Sequence, residues 1–73
     1  METVYIKGDF IKLDALLKFA SLTASGGEAK TAIADGLAAV NGEVCLMRGK
    51  KIYPGDQVSF CGQTLVVQKH DHT

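Results

Sequence analysis

The spacing of apolar residues changes along this chain, and each spacing predicts a different kind of element. Val4 and Ile6 alternate with polar residues, which indicates a short strand or extended arm over residues 2–7. After Lys12 the apolar positions follow the i, i+3, i+4, i+7 spacing of a helix that buries one face. That face carries Leu13, Leu16, Leu17 and Ala20.

A second helix is predicted by signals at its two ends. Ser25 can accept a hydrogen bond from the Glu28 amide while the Glu28 carboxylate reaches back to the Ser25 amide, as in a capping box. Gly36 can adopt the left-handed conformation that ends a helix. We therefore expect a helix from about Gly26 to about Asp35, with its alanines packed closely against the first helix.

The second half of the chain has the pattern of short strands joined by tight turns. Asn41-Gly42 lies between apolar runs at 37–40 and 44–47, and this dipeptide favours the positive φ angles of a type I′ hairpin turn. Pro54-Gly55 predicts a further turn, followed by strands at 57–61 and 64–68. The expected fold class is α+β, with two packed helices against a small, mostly antiparallel sheet.

With 73 residues, the chain has room for one domain, over residues 1–73, and no separate catalytic lobe. The tail from His70 onward is expected to be frayed. The apolar residues are numerous enough for a core without a metal or disulfide. The predicted core is Ile6, Leu13, Leu16, Leu17, Leu22, Ile33, Leu37, Val40, Val44, Ile52, Val58, Phe60, Leu65 and Val67.

Charge gives a mixed signal about nucleic acid. Eight basic and eight acidic residues leave a formal net charge of zero, whereas nucleic-acid-binding domains usually carry a basic excess. The distribution is less even, because Arg48, Lys50 and Lys51 place three cations within four residues. Further lysines lie in the two predicted helices. A local cationic patch is therefore compatible with zero net charge.

Other kinds of chemistry find little support. The histidines, His70 and His72, lie in the tail, and no nucleophile, base and orienting group come together in the sequence. Cys45 and Cys61 lack the paired spacing of a zinc or redox motif and are expected to be free thiols. We expect no metal and no cofactor. With neither a membrane span nor a signal peptide in view, we expect a cytoplasmic protein.

An ordered set of residues covering about 12–60 resembles the S4 RNA-binding domain, in particular its small stand-alone bacterial members, the YaaA- and YbcJ-like proteins. In those small members the second helix opens with Ser-Gly-Gly, as it does here. The matching residues are Leu13-Asp14, Leu16-Leu17, Ser25, Glu28-Ala29-Lys30, Ile33, Gly36, Val40-Asn41-Gly42 and Pro54-Gly55-Asp56.

The resemblance implies a noncatalytic protein that contacts RNA with a defined set of residues. Those positions are Lys12, Ser25, Gly26, Gly27, Lys30, Arg48, Lys50 and Lys51. Lys18 is a further candidate, with an i, i+4 pair to Asp14 as its alternative role. Many larger family members carry arginines where this chain has Gly26 and Gly27. The amides of Gly26 and Gly27, open at a helix start, can attract a phosphate and so replace part of the missing arginine charge. The Glu28 carboxylate opposes an anion at the same place.

The sequence therefore favours a monomer that binds ribosomal or other structured RNA through phosphates and helix shape rather than base reading. Tyr53, beside the basic residues, is the best candidate for stacking on a base. Without the family resemblance, the same residues would equally suit binding to DNA. They would also suit a regulatory module that docks an acidic protein. A ubiquitin-like sulfur carrier is disfavoured, because such carriers end in Gly-Gly and this chain ends in His-Asp-His-Thr.

Overall fold

A computed structural model describes residues 1–70, and in this part of the chain two helices and seven strands form. The order confirms the predicted α+β class. The elements are β1 (Glu2–Ile6), β2 (Ile11–Lys12), α1 (Leu13–Phe19), α2 (Gly26–Ala34), β3 (Ala38–Val40), β4 (Glu43–Val44), β5 (Lys51–Ile52), β6 (Gln57–Phe60) and β7 (Gln63–Lys69).

Within residues 1–70, five strands form one sheet in the order β1-β7-β6-β3-β4, and β2 pairs separately with β5. The pairing of β1 with β7 is parallel, and every other strand pair in this range is antiparallel. The parallel pair joins the two ends of the chain, with Val4 opposite Val67. The expectation of a mostly antiparallel sheet is therefore confirmed.

The ladder between β1 and β7 also corrects, at His70, the expectation of a frayed tail. The His70 amide donates a hydrogen bond of 2.7 Å to the Ile6 carbonyl, so this residue still belongs to the ordered sheet edge. The rest of the predicted tail, residues 71–73, lies outside the described residues. The order extends this far because β7 continues alongside β1 to Lys69.

Both helices pack on one face of the sheet. Leu13, Leu16 and Leu17 of α1 are fully buried, as the helical spacing predicted. From α2, Ala29 and Ile33 are fully buried, and the small alanine side chain allows close approach of the two helices. The inward strand positions that meet them include Val58, Leu65 and Val67.

The predicted core was wrong at two positions and incomplete at others. Leu37 is 49% exposed and Val44 is 64% exposed. Val44 lies in a two-residue strand at the edge of the sheet, and Leu37 follows the helix stop, so neither is covered by a helix. Leu22 is only partly buried against the core. Val4 and Ala38 are core residues that the prediction did not include.

The ends of α2 follow the sequence signals, with one difference. The Ser25 hydroxyl accepts the Glu28 amide at 3.2 Å, which confirms the cap. The reciprocal bond from the Ser25 amide to the Glu28 carboxylate does not form in the described structure. Gly36, with φ of 79°, ends the helix as predicted.

The two predicted turns of the β half are joined by side chains. Asn41 and Gly42 have φ of 51° and 87°, the signature of the type I′ turn. Gly55 has φ of 97° in the Pro-Gly turn. The Asn41 side chain donates to Asp56 Oδ1 at 3.1 Å, and Asp56 Oδ2 accepts the Tyr53 amide at 2.8 Å. Asp56 therefore connects the two turns through hydrogen bonds.

Candidate nucleic-acid interface

The start of α1 depends on a distant loop rather than on its own side chains. Lys12, the residue before the helix, makes no side-chain cap bond. Instead, the Leu13 amide donates to the Lys50 carbonyl at 2.9 Å, and the Asp14 amide donates to the Arg48 carbonyl at 3.1 Å. The loop thus satisfies amides that a helix start leaves without partners. These two bonds fix the loop beside the helix.

A short strand pair brings the lysines of these two segments together. In the pairing of β2 with β5, Ile11 lies opposite the fully buried Ile52, and Lys12 lies opposite Lys51. Like charges directly across a strand pair are destabilising, so packing at Ile52 must hold this register against repulsion. We refer to Lys12, Arg48, Lys50 and Lys51 as the basic cluster.

The cations of the basic cluster are exposed and make no ion pair among residues 1–70. The ion pair formed in that range joins Lys69 to Asp9 at 3.3 Å, on other elements. Among the nearby acids, Asp56 accepts bonds at the turns, and Asp14 Oδ1 accepts the Ala15 amide at 2.7 Å. Glu43 lines a groove together with Lys50 and Lys51 and forms no ion pair with them in the described residues. Zero net charge therefore coexists with a local group of four cations that form no ion pair in the described residues.

Two aromatic rings adjoin the basic cluster. The Lys51 ammonium lies 4.9 Å from the centre of the Phe10 ring, and the Phe10 and Tyr53 rings are 5.9 Å apart with a tilt of 47°. Tyr53 was a candidate for base stacking, and it is 48% exposed. Phe10, 39% exposed, was not recognised from the sequence. Its signal lies in the strand register, which places it opposite Tyr53 once Ile11 pairs with Ile52.

The candidate residues of α2 form a separate group. Ser25, Gly26, Gly27 and Lys30 are all exposed, and no hydrogen bond or ion pair within residues 1–70 joins them to the basic cluster. Lys30 follows Gly26 by four residues and shares its flank of the helix. Glu28 lines a side groove with Thr31 and Phe60, and it forms no ion pair with Lys30 in the described residues.

Lys18 lies in the last turn of α1, at the end of the helix away from the loop. It is exposed, and the predicted pair with Asp14 is not among the ion pairs of the described residues. Over seven residues the helix is about 10 Å long, so Lys18 and the basic cluster lie at opposite ends of α1.

Two further observations concern other kinds of site. In the described part of the chain, no three or more histidine, cysteine or acidic side chains converge in a way that would hold a metal ion. Neither helix in this part combines the length and hydropathy needed to cross a bilayer. Both cysteines are free thiols, as expected.

Known proteins are similar to this chain in sequence and in fold. The family model of the S4 domain matches residues 4–68. The "Putative RNA-binding protein YbcJ" of Escherichia coli strain K12 is 39% identical over 61 residues, which cover 84% of this chain and 87% of that protein. The "Uncharacterized protein YbcJ" of Shigella flexneri shows the same identity and coverage.

A solved structure is similar to this chain over nearly its whole length. The solution structure of E. coli YbcJ superimposes with a TM-score of 0.72 at 38% identity, covering 93% of this chain and 87% of the other. That structure was described as revealing an αL motif involved in RNA binding. The predicted likeness to the small YbcJ-like proteins is therefore confirmed.

Proposed function

This chain belongs to the S4 domain family, and we propose that it is a noncatalytic RNA-binding protein that holds structured RNA by its phosphates. The observation that carries the proposal is the basic cluster. Two backbone bonds and one strand pair hold its four cations at the start of α1, and none of them is neutralised by a carboxylate within residues 1–70. The name of E. coli YbcJ supports the choice of RNA.

Phosphates suit this cluster for a physical reason. Each phosphate neutralised by a lysine or arginine releases counterions, so affinity comes from clustered exposed cations and weakens as salt rises. The rigid backbone connection matters as well, because cations already held in place lose less freedom when RNA binds. A patch of four cations supports moderate, salt-sensitive binding.

The α2 group and Lys18 supply the second part of the proposal. Lys18 and Lys30 would contact phosphates further along a bound RNA. Ser25, Gly26 and Gly27 would face a phosphate at the start of α2, where amides carry partial positive charge. The nearest contact that a Cβ at Gly27 would meet is the Ser25 hydroxyl at 3.9 Å, so the backbone there is open to approach.

The biological setting follows from the same proposal. A family first described in a ribosomal protein favours ribosomal RNA or another folded RNA as the target. We propose a cytoplasmic protein that acts as a monomer. The rival is a regulatory module that uses the basic cluster to dock an acidic protein.

The test is a titration of the protein with folded ribosomal RNA fragments and with duplex DNA over a range of salt concentrations. The variant Lys50→Ala/Lys51→Ala removes two charges from the basic cluster. Its matched control, Lys7→Ala/Lys69→Ala, removes two exposed charges, one directly after β1 and one at the end of β7, and with the second it removes the exposed ion pair to Asp9.

We expect the first variant to bind RNA more weakly and its salt slope to become shallower by about 1.4 to 1.8, because two phosphate contacts are lost. The control should keep the wild-type slope. Equal losses in both variants would place the site elsewhere. No RNA binding by the folded protein at low salt would overturn the proposal and favour a protein partner.

A further inference from the structure

A groove of about 570 Å³ lies beside the basic cluster, between the β3–β4 hairpin and residues 45–51. Lys50 and Lys51 line one wall, so the groove and the basic cluster share two side chains. The rest of the lining combines apolar side chains, among them Val44, Leu46, Met47 and Tyr53, with the polar Asn41, Glu43 and Asp56. Charge and apolar surface therefore meet within one concave site.

The apolar part of this groove is largely exposed to solvent. Leu46 is 62% exposed and Met47 is 68% exposed, next to the exposed Val44 and Tyr53. Single exposed apolar residues are ordinary, but a contiguous group marks a binding surface. The expected strand at 44–47 ends at Val44, because the following residues leave the sheet to reach the start of α1.

The fold holds the apolar wall in position. A Cβ placed on Gly36 would lie 3.8 Å from Val44 Cγ1 and 4.0 Å from Leu46 Cδ2, so these side chains rest on the turn that ends α2. On the opposite side, the carbonyls of Arg48 and Lys50 are bound to α1. The groove is thus held at both of its walls.

One carboxylate in the groove is available to a ligand. Both oxygens of Asp56 already accept hydrogen bonds, from the Asn41 side chain and the Tyr53 amide. Glu43 also lines the groove, and its carboxylate makes no hydrogen bond or ion pair within residues 1–70. A carboxylate can accept two parallel hydrogen bonds from a planar pair of donors.

We infer that this groove binds one unpaired nucleobase of the RNA, with guanine preferred, while Lys50 and Lys51 hold the adjoining phosphates; this inference rests on the proposed function. A base has apolar faces for Leu46, Met47 and Tyr53, and a polar edge for Glu43. Guanine presents an imino and an amino donor side by side, which match the two oxygens of Glu43. On that edge uracil offers only its imino N–H and cytosine only its amino group, so neither presents two adjacent donor groups.

The test uses RNA hairpins that share one stem and carry a single bulged guanine, inosine, cytosine, uracil or no bulge. Inosine lacks only the amino group of guanine. The protein variants are Leu46→Ser/Met47→Ser for the apolar wall and Glu43→Gln for the carboxylate. All three residues are exposed, so the fold should persist, and thermal unfolding checks this.

The wild-type protein should bind the bulged-guanine hairpin about tenfold more tightly than the fully paired one, the effect expected of one stacked and hydrogen-bonded base. Leu46→Ser/Met47→Ser should abolish this ratio and keep the salt slope. Glu43→Gln should reduce the ratio of guanine to inosine affinity, a comparison from which the overall change in charge cancels.

Equal wild-type affinities for bulged and paired hairpins would overturn the inference. If the salt slope still depended on Lys50 and Lys51 in that case, the proposed function would stand, and the apolar wall would be a surface for a protein partner. Absence of RNA binding to every hairpin would overturn both.

Discussion

The turn at residues 53–56 and the loop at residues 45–51 are neighbours that use their polar groups in opposite ways. At the turn, the side chains bind the protein itself: Asp56 accepts from Asn41 and from the Tyr53 amide. In the loop, the backbone binds the protein, through the carbonyls of Arg48 and Lys50, and the cationic side chains have no carboxylate partner in the described structure.

This difference separates stability from binding. Removing a side chain at the turn leaves backbone and side-chain donors without their partner, so it should lower the free energy of unfolding. Removing a cation of the loop leaves the structural carbonyl in place, so it should lower RNA affinity and spare the fold. Substitutions can therefore show which side chains maintain the scaffold and which are free to act on a ligand.

The largest effect on stability is expected for Asp56→Ala. The substitution removes the acceptor for both the Tyr53 amide and the Asn41 side chain, and we expect it to lower the free energy of unfolding by about 2 kcal/mol. Urea denaturation measures this change.

Asp9→Ala is the matched control for Asp56→Ala. It removes a carboxylate whose pair with Lys69 is exposed, and such pairs contribute about 0 to 1 kcal/mol. If both variants unfolded at the same urea concentration, the connection between the two turns would not contribute to stability.

A smaller loss is expected for Ser25→Ala, which removes the cap of α2. The Glu28 amide loses its partner, and the free energy of unfolding should fall by about 1 kcal/mol. Ser25→Asn should retain most of the stability, because its side chain also caps helices well. Denaturation curves of the two variants give the comparison, and a larger loss for Ser25→Asn than for Ser25→Ala would contradict it.

The smallest effect is a gain. A Cβ at Gly26 would meet no atom within 4 Å, so an arginine fits there without displacing a neighbour. Gly26→Arg should increase RNA affinity about threefold at low salt and steepen the salt slope by about 0.7 to 0.9, because it adds one phosphate contact. Gly26→Gln is the uncharged control, and an equal gain in both variants would exclude a charge effect at α2.

Features that depend on neighbouring residues were predictable from the sequence. The cap at Ser25, the helix stop at Gly36 and the Asn41-Gly42 turn each require only a few adjacent residues, and the structure confirms all three. The stripe of Leu13, Leu16 and Leu17 was predictable for the same reason, since helical spacing determines which side chains share a face.

Features that join distant segments were not predictable. The parallel pairing of β1 with β7 connects residues more than 60 positions apart, and alternation within either strand does not indicate its partner. The same holds for the bonds from Leu13 and Asp14 to the loop, which gather the basic cluster. Phe10 was missed because its neighbours, Lys51 and Tyr53, lie about 40 positions further along the chain. Val44 was misassigned because alternation alone does not distinguish an edge position from a core position.

The most direct test of where RNA binds is a titration of 15N-labelled protein with a folded RNA fragment, in which NMR monitors the chemical shifts of the backbone amides. We expect the shifts to concentrate at residues 12–14 and 48–53, around the basic cluster, and to weaken as salt is added. Shifts confined to β1 and β7, with the amides of residues 48–53 unchanged, would contradict the account.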